Sequence, residues 1–186
     1  MITVPLNRSH LKGAVELHRA AKAYCYRGKD ARYVLRAFYD AYANRDYTVG
    51  TAGLEGERVV GVACGTTDLA APGEWLRRRR PWRSLPARLA GGENMARGGW
   101  GNEFPADAGA QGRPVYLLSA VAAEALSDED IANLFGNFAA AAASRGADRI
   151  FAPAVAADDR LLQVGFEQAE GLASGEGVPL LYVRGL

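Results

Sequence analysis

Cysteine and histidine are scarce in this chain of 186 residues, which contains two of each. Cys25 and Cys64 cannot form a metal cluster on their own, and the sequence has neither a Cys-x-x-Cys nor a His-Glu-x-x-His spacing. We therefore expect no metal site. Reduced, buried thiols are the favoured interpretation of both cysteines, over a disulfide or a reactive thiol, and they are typical of a cytoplasmic protein.

Long apolar runs are absent as well. The longest candidate, residues 138–143, is far shorter than the ~20 residues that span a bilayer, and no cationic segment precedes an apolar one at the start of the sequence. The formal net charge is +1, so bulk charge predicts adhesion neither to nucleic acid nor to an anionic membrane. These absences predict a cytoplasmic protein without a membrane partner, and they leave oligomerisation open.

The remaining composition, 49% hydrophobic and 23% charged, is that of one globular domain spanning residues 1–186. Hydrophobic periodicity and turn residues predict alternating strands and helices, which is an α/β (α+β) pattern. The predicted order is a strand at 2–6, helices after Ser9 and at 33–43, strands at 47–54, 58–66 and 115–121, a helix at 128–144, a strand at 149–155, a helix at 158–164, and strands at 166–169 and 178–183. Residues 70–112 are predicted to be an insertion made of an irregular helix and a long loop.

The first predicted helix has an apolar face on which Leu11, Ala14 and Val15 recur on adjoining turns. His18 lies on or beside this face, so a core histidine is favoured over a catalytic one. Aromatic residues of the second helix recur at the same spacing and are likewise interpreted as core residues.

Six short stretches occur in a characteristic order along the chain. They are Ile2-Thr-Val-Pro-Leu6, Ala14–Ala21, Arg58–Gly65, Leu117-Leu-Ser-Ala-Val121, Ala142–Arg149 and Gly165-Phe166. This ordered set resembles the GNAT (N-acetyltransferase) superfamily and covers most of the chain outside residues 70–112. The resemblance implies a mixed, mostly antiparallel central sheet flanked by helices, with two central strands that splay apart.

The resemblance also implies a site between the splayed strands, which would part just after Leu118. The pantetheine arm of acetyl-CoA, or of another pantetheine thioester, would enter there as co-substrate. Ser119, Ala120 and Val121 would line the channel through main-chain N–H and C=O groups. An amine of a small-molecule acceptor would attack the thioester carbonyl, while a base removes its proton and an acid protonates the thiolate.

The segment after the central strand departs from the glycine-rich diphosphate loop of that family. Residues 124–132 contain no glycine and no arginine, but they include the consecutive carboxylates Asp128, Glu129 and Asp130. Ser127 begins a capping pattern and is the cofactor-binding candidate at this helix start, although an ordinary capped helix is favoured. The carboxylates complement the positive end of the helix dipole, and they would repel a diphosphate.

The expected catalytic positions hold neither an acid nor a base. Leu161 stands where the family places a tyrosine, four residues before the late glycine, and Val115 stands where a carboxylate is sometimes found. Tyr116, Asp68 and Glu124 are the remaining catalytic candidates, because each carries a titratable group that could reach the cleft. A structural or solvated role is the alternative for each of them.

One dense basic run lies between Trp75 and Arg88. Its candidate partner-binding residues are Arg77, Arg78, Arg79, Arg80 and Arg83. Guanidinium groups bind phosphate or carboxylate groups, and the alternative is a solvated, proline-broken helix face. An acidic acyl carrier protein would explain both this run and the missing loop, because its pantetheine ends in a single phosphodiester.

These observations favour a GNAT-like acyltransferase that moves an acyl group from acetyl-CoA or an acyl carrier protein to an amine. Two alternatives stay open. The first is a GNAT-fold binding or oligomerisation module without transfer activity, and the second is an enzyme that uses the same cleft for another reaction.

Overall fold

The computed structural model describes residues 1–21, 36, 39–43, 45–71, 74, 112–154, 159–169 and 180–186. The predictions for Cys25, for the arginine run 77–83 and for most of the insertion at 70–112 lie outside these ranges.

The described elements follow the predicted order. The strands are β1 Ile2–Pro5, β2 Thr48–Glu55, β3 Arg58–Thr66, β4 Pro114–Ala122, β5 Arg149–Ala154, β6 Glu167–Gln168 and β7 Leu180–Gly185. The α-helices are α1 Leu11–Ala20, α2 Asp128–Ala143 and α3 Asp159–Gln163, and residues 39–42 are also helical. A short 3-10 helix, Arg8–His10, precedes α1.

All seven strands belong to one sheet, in the order β1-β2-β3-β4-β5-β7-β6. Neighbouring strands are antiparallel except β4 and β5, which run parallel. Strands β2 and β3 form a hairpin whose turn contains Gly56 at a φ of +59°, a conformation that glycine adopts without a steric penalty. The predicted mixed, mostly antiparallel sheet is confirmed.

Helices cover both faces of the sheet. Alternate residues of β3 point to opposite sides, so that Cys64 packs with α1 whereas Ala63 packs with α2. The α1 face, which also holds segment 39–43, buries Leu11, Ala14, Val15, Tyr39, Tyr42, Val62 and Val121. The α2 face buries Val115, Leu117, Leu134, Phe138, Ile150, Leu161 and Tyr182. The nearly continuous apolar sequence of β3 reflects this burial on both sides.

The first helical segment begins with the 3-10 helix at Arg8, two residues earlier than expected, and Ser9 is not its cap. Asn7 Oδ1 accepts a hydrogen bond of 2.9 Å from the Ser9 amide, and it also accepts one of 2.6 Å from the Ser9 hydroxyl. The asparagine therefore satisfies an amide that the helix start leaves without a helical partner. Ser9, the serine before the predicted helix, has a capping side chain by type, but Asn7 takes this role and the Ser9 hydroxyl donates to it.

In the part of the chain that the structure describes, no helix is both long and apolar enough to cross a membrane.

Candidate active site

Strands β4 and β5 lie side by side for only a short distance. Three residue pairs join them, and the last is Tyr116 with Phe151. Within the described ranges, the rest of β4 from Leu117 to Ala122 has no partner on β5, although β5 continues to Ala154. Pro153 lies in this separated part of β5 and, among the described residues, pairs with Leu181 of β7.

A β-bulge in β4 lies where the two strands part. Cys64 of β3 is opposite Ser119 and the next residue, Gly65, is opposite Leu117, so Leu118 is the extra residue on β4. A side chain at position 65 would collide with the carbonyl oxygen of Tyr116. Glycine at this position thus allows the two backbones to approach, and the bulge bends β4 away from β5.

The gap between β4 and β5 is bordered by the stretch that the family resemblance pointed to. Ala120 is exposed although it belongs to a central strand, whereas its partner on β3, Ala63, is completely buried. Along a strand, successive main-chain N–H and C=O groups point to alternate sides, so half of those in this stretch are directed away from β3. Among the described residues Ala120 has no partner on β5, as the expected parting of the two strands requires.

The side chain of Ser119 lies on the α1 face of the sheet and is part of a hydrogen-bonded chain. Its Oγ is 3.3 Å from Tyr39 Oη, and Tyr39 Oη is 2.9 Å from His18 Nδ1. The rings of His18 and Tyr39 meet edge to face, with centroids 6.0 Å apart. Three residues from α1, segment 39–43 and β4 are therefore connected next to the gap.

Burial keeps Tyr39, the middle residue of this hydrogen-bonded chain, neutral. Tyr39 is 0% exposed, and burial, with a smaller effect from nearby Cys64, raises the pKa of its phenol well above the ordinary value. Burial also raises the pKa of the Cys64 thiol. Tyr39 thus remains a hydroxyl that can both donate and accept a hydrogen bond, and Cys64 is a core thiol, as the sequence suggested.

The start of α2, next to the end of β4, is capped by its own side chains. Ser127 Oγ accepts a hydrogen bond of 3.2 Å from the Asp130 amide and donates one of 3.0 Å to Asp130 Oδ2. Asp128 and Glu129 add two further carboxylates to the first turn. The favoured interpretation of Ser127 as an ordinary helix cap agrees with this geometry.

The three catalytic candidates do not form one cluster, because Tyr116 pairs with Thr66 near Asp68 whereas Glu124 follows the other end of β4. Tyr116 is 8% exposed and stacks on Phe151, with ring centroids 6.1 Å apart, at the last pair before the gap. Burial raises the pKa of its phenol. Asp68 Oδ1 accepts hydrogen bonds from the amides of Ala70 and Ala71, as a helix cap does. Glu124 is exposed in the turn after β4.

Both positions at which the family would place an acid or a base, Leu161 and Val115, are core positions. Leu161 is 7% exposed and Val115 is 0% exposed, and both pack in the cluster on the α2 face. Neither side chain can donate or accept a proton. Any proton transfer at the gap must therefore use other groups.

Tyr39 is the residue that sequence reasoning missed. It lies within the predicted helix at 33–43 but outside the set of residues at helical spacing, and nothing local distinguishes it. Its partner Ser119 is 80 residues away along the chain, and that separation leaves no local signal. His18 was interpreted as a core histidine, whereas the structure places it half-buried at one end of the hydrogen-bonded chain.

No family model matches the sequence, and no curated protein matches it significantly. Solved structures do match the fold over nearly the whole chain. An aminoglycoside 6'-acetyltransferase type Ii has a TM-score of 0.61 at 12% identity, with 100% of this chain and 97% of that chain covered. The GNAT domain of S. lividans PAT has a TM-score of 0.58 at 15% identity, with coverages of 99% and 89%.

A third similar structure contains coenzyme A. The paia N-acetyltransferase from Thermoplasma acidophilum, in complex with coenzyme A, has a TM-score of 0.56 at 9% identity, and both chains are covered to 100%. Identities this low establish the fold rather than the reaction. The chain has the GNAT fold.

Proposed function

We propose that this chain is a divergent member of the GNAT superfamily that transfers an acyl group from a pantetheine thioester to an amine. The observation that carries the proposal is the separation of β4 from β5 at the bulge, which leaves one edge of the stretch from Leu117 to Ala122 without a strand partner in the described residues. Two of the three structures described above are acetyltransferases by name, and the one from Thermoplasma acidophilum contains coenzyme A.

The gap fits the extended arm of pantetheine. Amide groups of an extended ligand add to a strand edge as another strand does, through main-chain hydrogen bonds. Ser119, Ala120 and Val121 lie on this edge, and Ala120 is exposed. The thioester would supply the activated acyl group, and the residues around it would position the amine and accept its proton.

The start of α2 does not fit a diphosphate in the way a glycine-rich loop would. The Asp130 amide already donates its hydrogen bond to Ser127 Oγ, and the first turn carries three carboxylates. A donor with less charge at this point is therefore favoured, such as pantetheine on the single phosphodiester of an acyl carrier protein. Under this proposal the partner-binding residues Arg77, Arg78, Arg79, Arg80 and Arg83, outside the described ranges, would face that acidic carrier.

Ligand-dependent thermal stabilisation tests the donor. At a concentration of 100 times its Kd, acetyl-CoA stabilises the protein by about 2.7 kcal/mol, which raises the Tm of a chain of this length by roughly 5–11 °C. An acetylated acyl carrier protein is the second arm. A shift with the carrier alone supports the carrier-borne donor, equal shifts count against it, and no shift with either contradicts pantetheine binding.

A substitution in the gap tests the site. Ala120→Phe places a large side chain on the exposed position that borders the opening, so we expect the donor-induced Tm shift to disappear while the unliganded Tm changes little. Ala140→Phe, at an exposed position of α2, is the control and should keep the full shift. An unchanged shift in Ala120→Phe would place the donor elsewhere.

A further inference from the structure

We propose that the hydrogen-bonded chain Ser119–Tyr39–His18 is the route by which the attacking amine loses its proton, with His18 as the terminal base. This inference rests on the proposed function, because it assigns the base for transfer at the same gap. Ser119 is the catalytic residue, since its hydroxyl would contact the amine. Tyr39 and His18 act through it.

Geometry places the chain correctly for this task. Ser119 belongs to the stretch of β4 that borders the gap, and its hydroxyl lies on the α1 face, 3.3 Å from Tyr39 Oη. The next step, from Tyr39 Oη to His18 Nδ1, is 2.9 Å. Tyr39 is completely buried, whereas Ser119 and His18, on either side of it, are half-buried. The buried phenol therefore lies between two partly exposed groups.

The chemical character of the groups sets the direction of the hydrogen bonds. A phenol is a stronger donor than an aliphatic hydroxyl, and a neutral imidazole nitrogen is a good acceptor. Tyr39 therefore donates to His18 Nδ1, and the other ring nitrogen carries the proton. Ser119 donates to Tyr39 Oη, which leaves the lone pairs of Ser119 to accept a hydrogen bond from the amine.

The bonds and protons of the transfer step can be followed through these three residues. The amine nitrogen forms a bond to the carbonyl carbon, the carbon–sulfur bond breaks, and the thiolate leaves with the bonding electron pair. Ser119 Oγ accepts the proton from nitrogen as it passes its own to Tyr39 Oη, and Tyr39 passes its proton to His18 Nδ1. His18 becomes an imidazolium and releases its proton to water, and water supplies the proton that the thiolate takes up.

Nuclear magnetic resonance of the unliganded protein tests the hydrogen bonds between Tyr39 and His18 and needs no measurement of activity. The sequence has only two histidines, His10 and His18, so their ring ¹⁵N signals can be assigned readily. We expect His18 in the form with the proton on Nε2 and with Nδ1 as acceptor, and we expect this preference to weaken in Tyr39→Phe. His10, whose Nδ1 faces the Asn7 amide instead, is the internal control and should not change.

A second experiment separates binding from transfer. Thiol release from the donor that stabilises the wild type, acetyl-CoA or the acetylated carrier, is measured in excess ethylamine for Ser119→Ala, Tyr39→Phe and His18→Gln, together with the Tm shift caused by that donor. General base catalysis contributes ~10²–10⁴-fold, so each variant should lose at least about 10²-fold in rate while keeping its Tm shift. Combining two of the substitutions should add little to the loss. Tyr42→Phe removes another buried phenol from the same segment and is the control.

The outcomes distinguish the two proposals. If acetyl-CoA and the acetylated carrier both fail to stabilise the wild type, the proposed function is wrong, whatever the state of His18. If the donor binds and the amine is acetylated, but the three variants stay within about threefold of the wild-type rate, the relay is wrong and the function stands. A proton on Nδ1 of His18, or a His18 signal unchanged by Tyr39→Phe, overturns the relay as well.

Discussion

The bulge in β4 depends on a glycine in the neighbouring strand, and Gly65→Ala tests this dependence. A methyl group at position 65 would collide with the Tyr116 carbonyl oxygen and would lie 3.2 Å from the Cα of Leu117. Both obstacles are backbone atoms of the strand that must bend at this point. Neither can move aside by changing a rotamer, so the strand pair itself has to shift.

The magnitude follows from two opposing effects. Overpacking of a buried position costs about 1–3 kcal/mol, whereas replacing glycine by alanine stabilises by ~0.4–1 kcal/mol through the unfolded chain. The net loss is therefore roughly 1–2 kcal/mol. For a chain of this length that lowers the Tm by about 2–8 °C. Because the shift occurs beside the gap, the stabilisation by acetyl-CoA should fall as well.

Gly61→Ala is the matched control on the same strand. Its new methyl group would lie 2.9 Å from Leu134 Cδ2, the end of a side chain that can rotate, and not from backbone. The entropic gain is the same, so we expect less than half the loss of Tm seen for Gly65→Ala, measured by calorimetry with and without acetyl-CoA. If Gly65→Ala is as stable as the control and keeps its full response to acetyl-CoA, the bulge does not require glycine.

Three further predictions concern the fold. Phe138→Ala removes a side chain that is 0% exposed and should lower the free energy of unfolding by about 3–5 kcal/mol in urea titration. The Arg149 guanidinium holds the pKa of Asp148 below its ordinary value of 3.8, so its stabilisation is present above that pH and is lost as the pH falls through the lower folded value. The Tm of Asp148→Asn should thus be lower than wild type at pH 7 and converge with it in acid. Burial raises the pKa of Cys64, so in a Cys25→Ser background iodoacetamide should modify no thiol until the protein unfolds.

The strands and the helix start of this fold could be predicted because their signals are local. The apolar run of β3 indicated burial on both faces, and the sequence from Ser127 to Asp130 indicated the helix that begins there. In each case the residues that determine the element are neighbours along the chain. The splayed strands came from the family resemblance instead, and the structure places their last pair at Tyr116 and Phe151.

The candidate site could be predicted only in part, because it depends on contacts between distant segments. Ser119, Ala120 and Val121 were identified through their place in the central strand. The partners of Ser119 come from α1 and from segment 39–43, and helical periodicity shows only that such residues face a core. Periodicity does not show which core residue meets a polar group. Asn7 illustrates the same limit, because Asn7 and Ser9 are both capping residue types and only the geometry decides between them.

The bulge connects the two proposals, because one extra residue produces both of their geometric requirements. Leu117 faces α2. In a regular strand side chains alternate between the two faces, so without the extra residue Leu118 the side chain two positions after Leu117 would also face α2. With it, Ser119 faces α1 and reaches Tyr39, while the strand leaves β5 and opens the gap. A variant that removes the bulge should therefore affect both properties together. We expect Gly65→Ala to change the His18 ring ¹⁵N signals in the free protein as well as the response to acetyl-CoA, and a change in only one of them would show that the gap and the hydrogen-bonded chain are set independently.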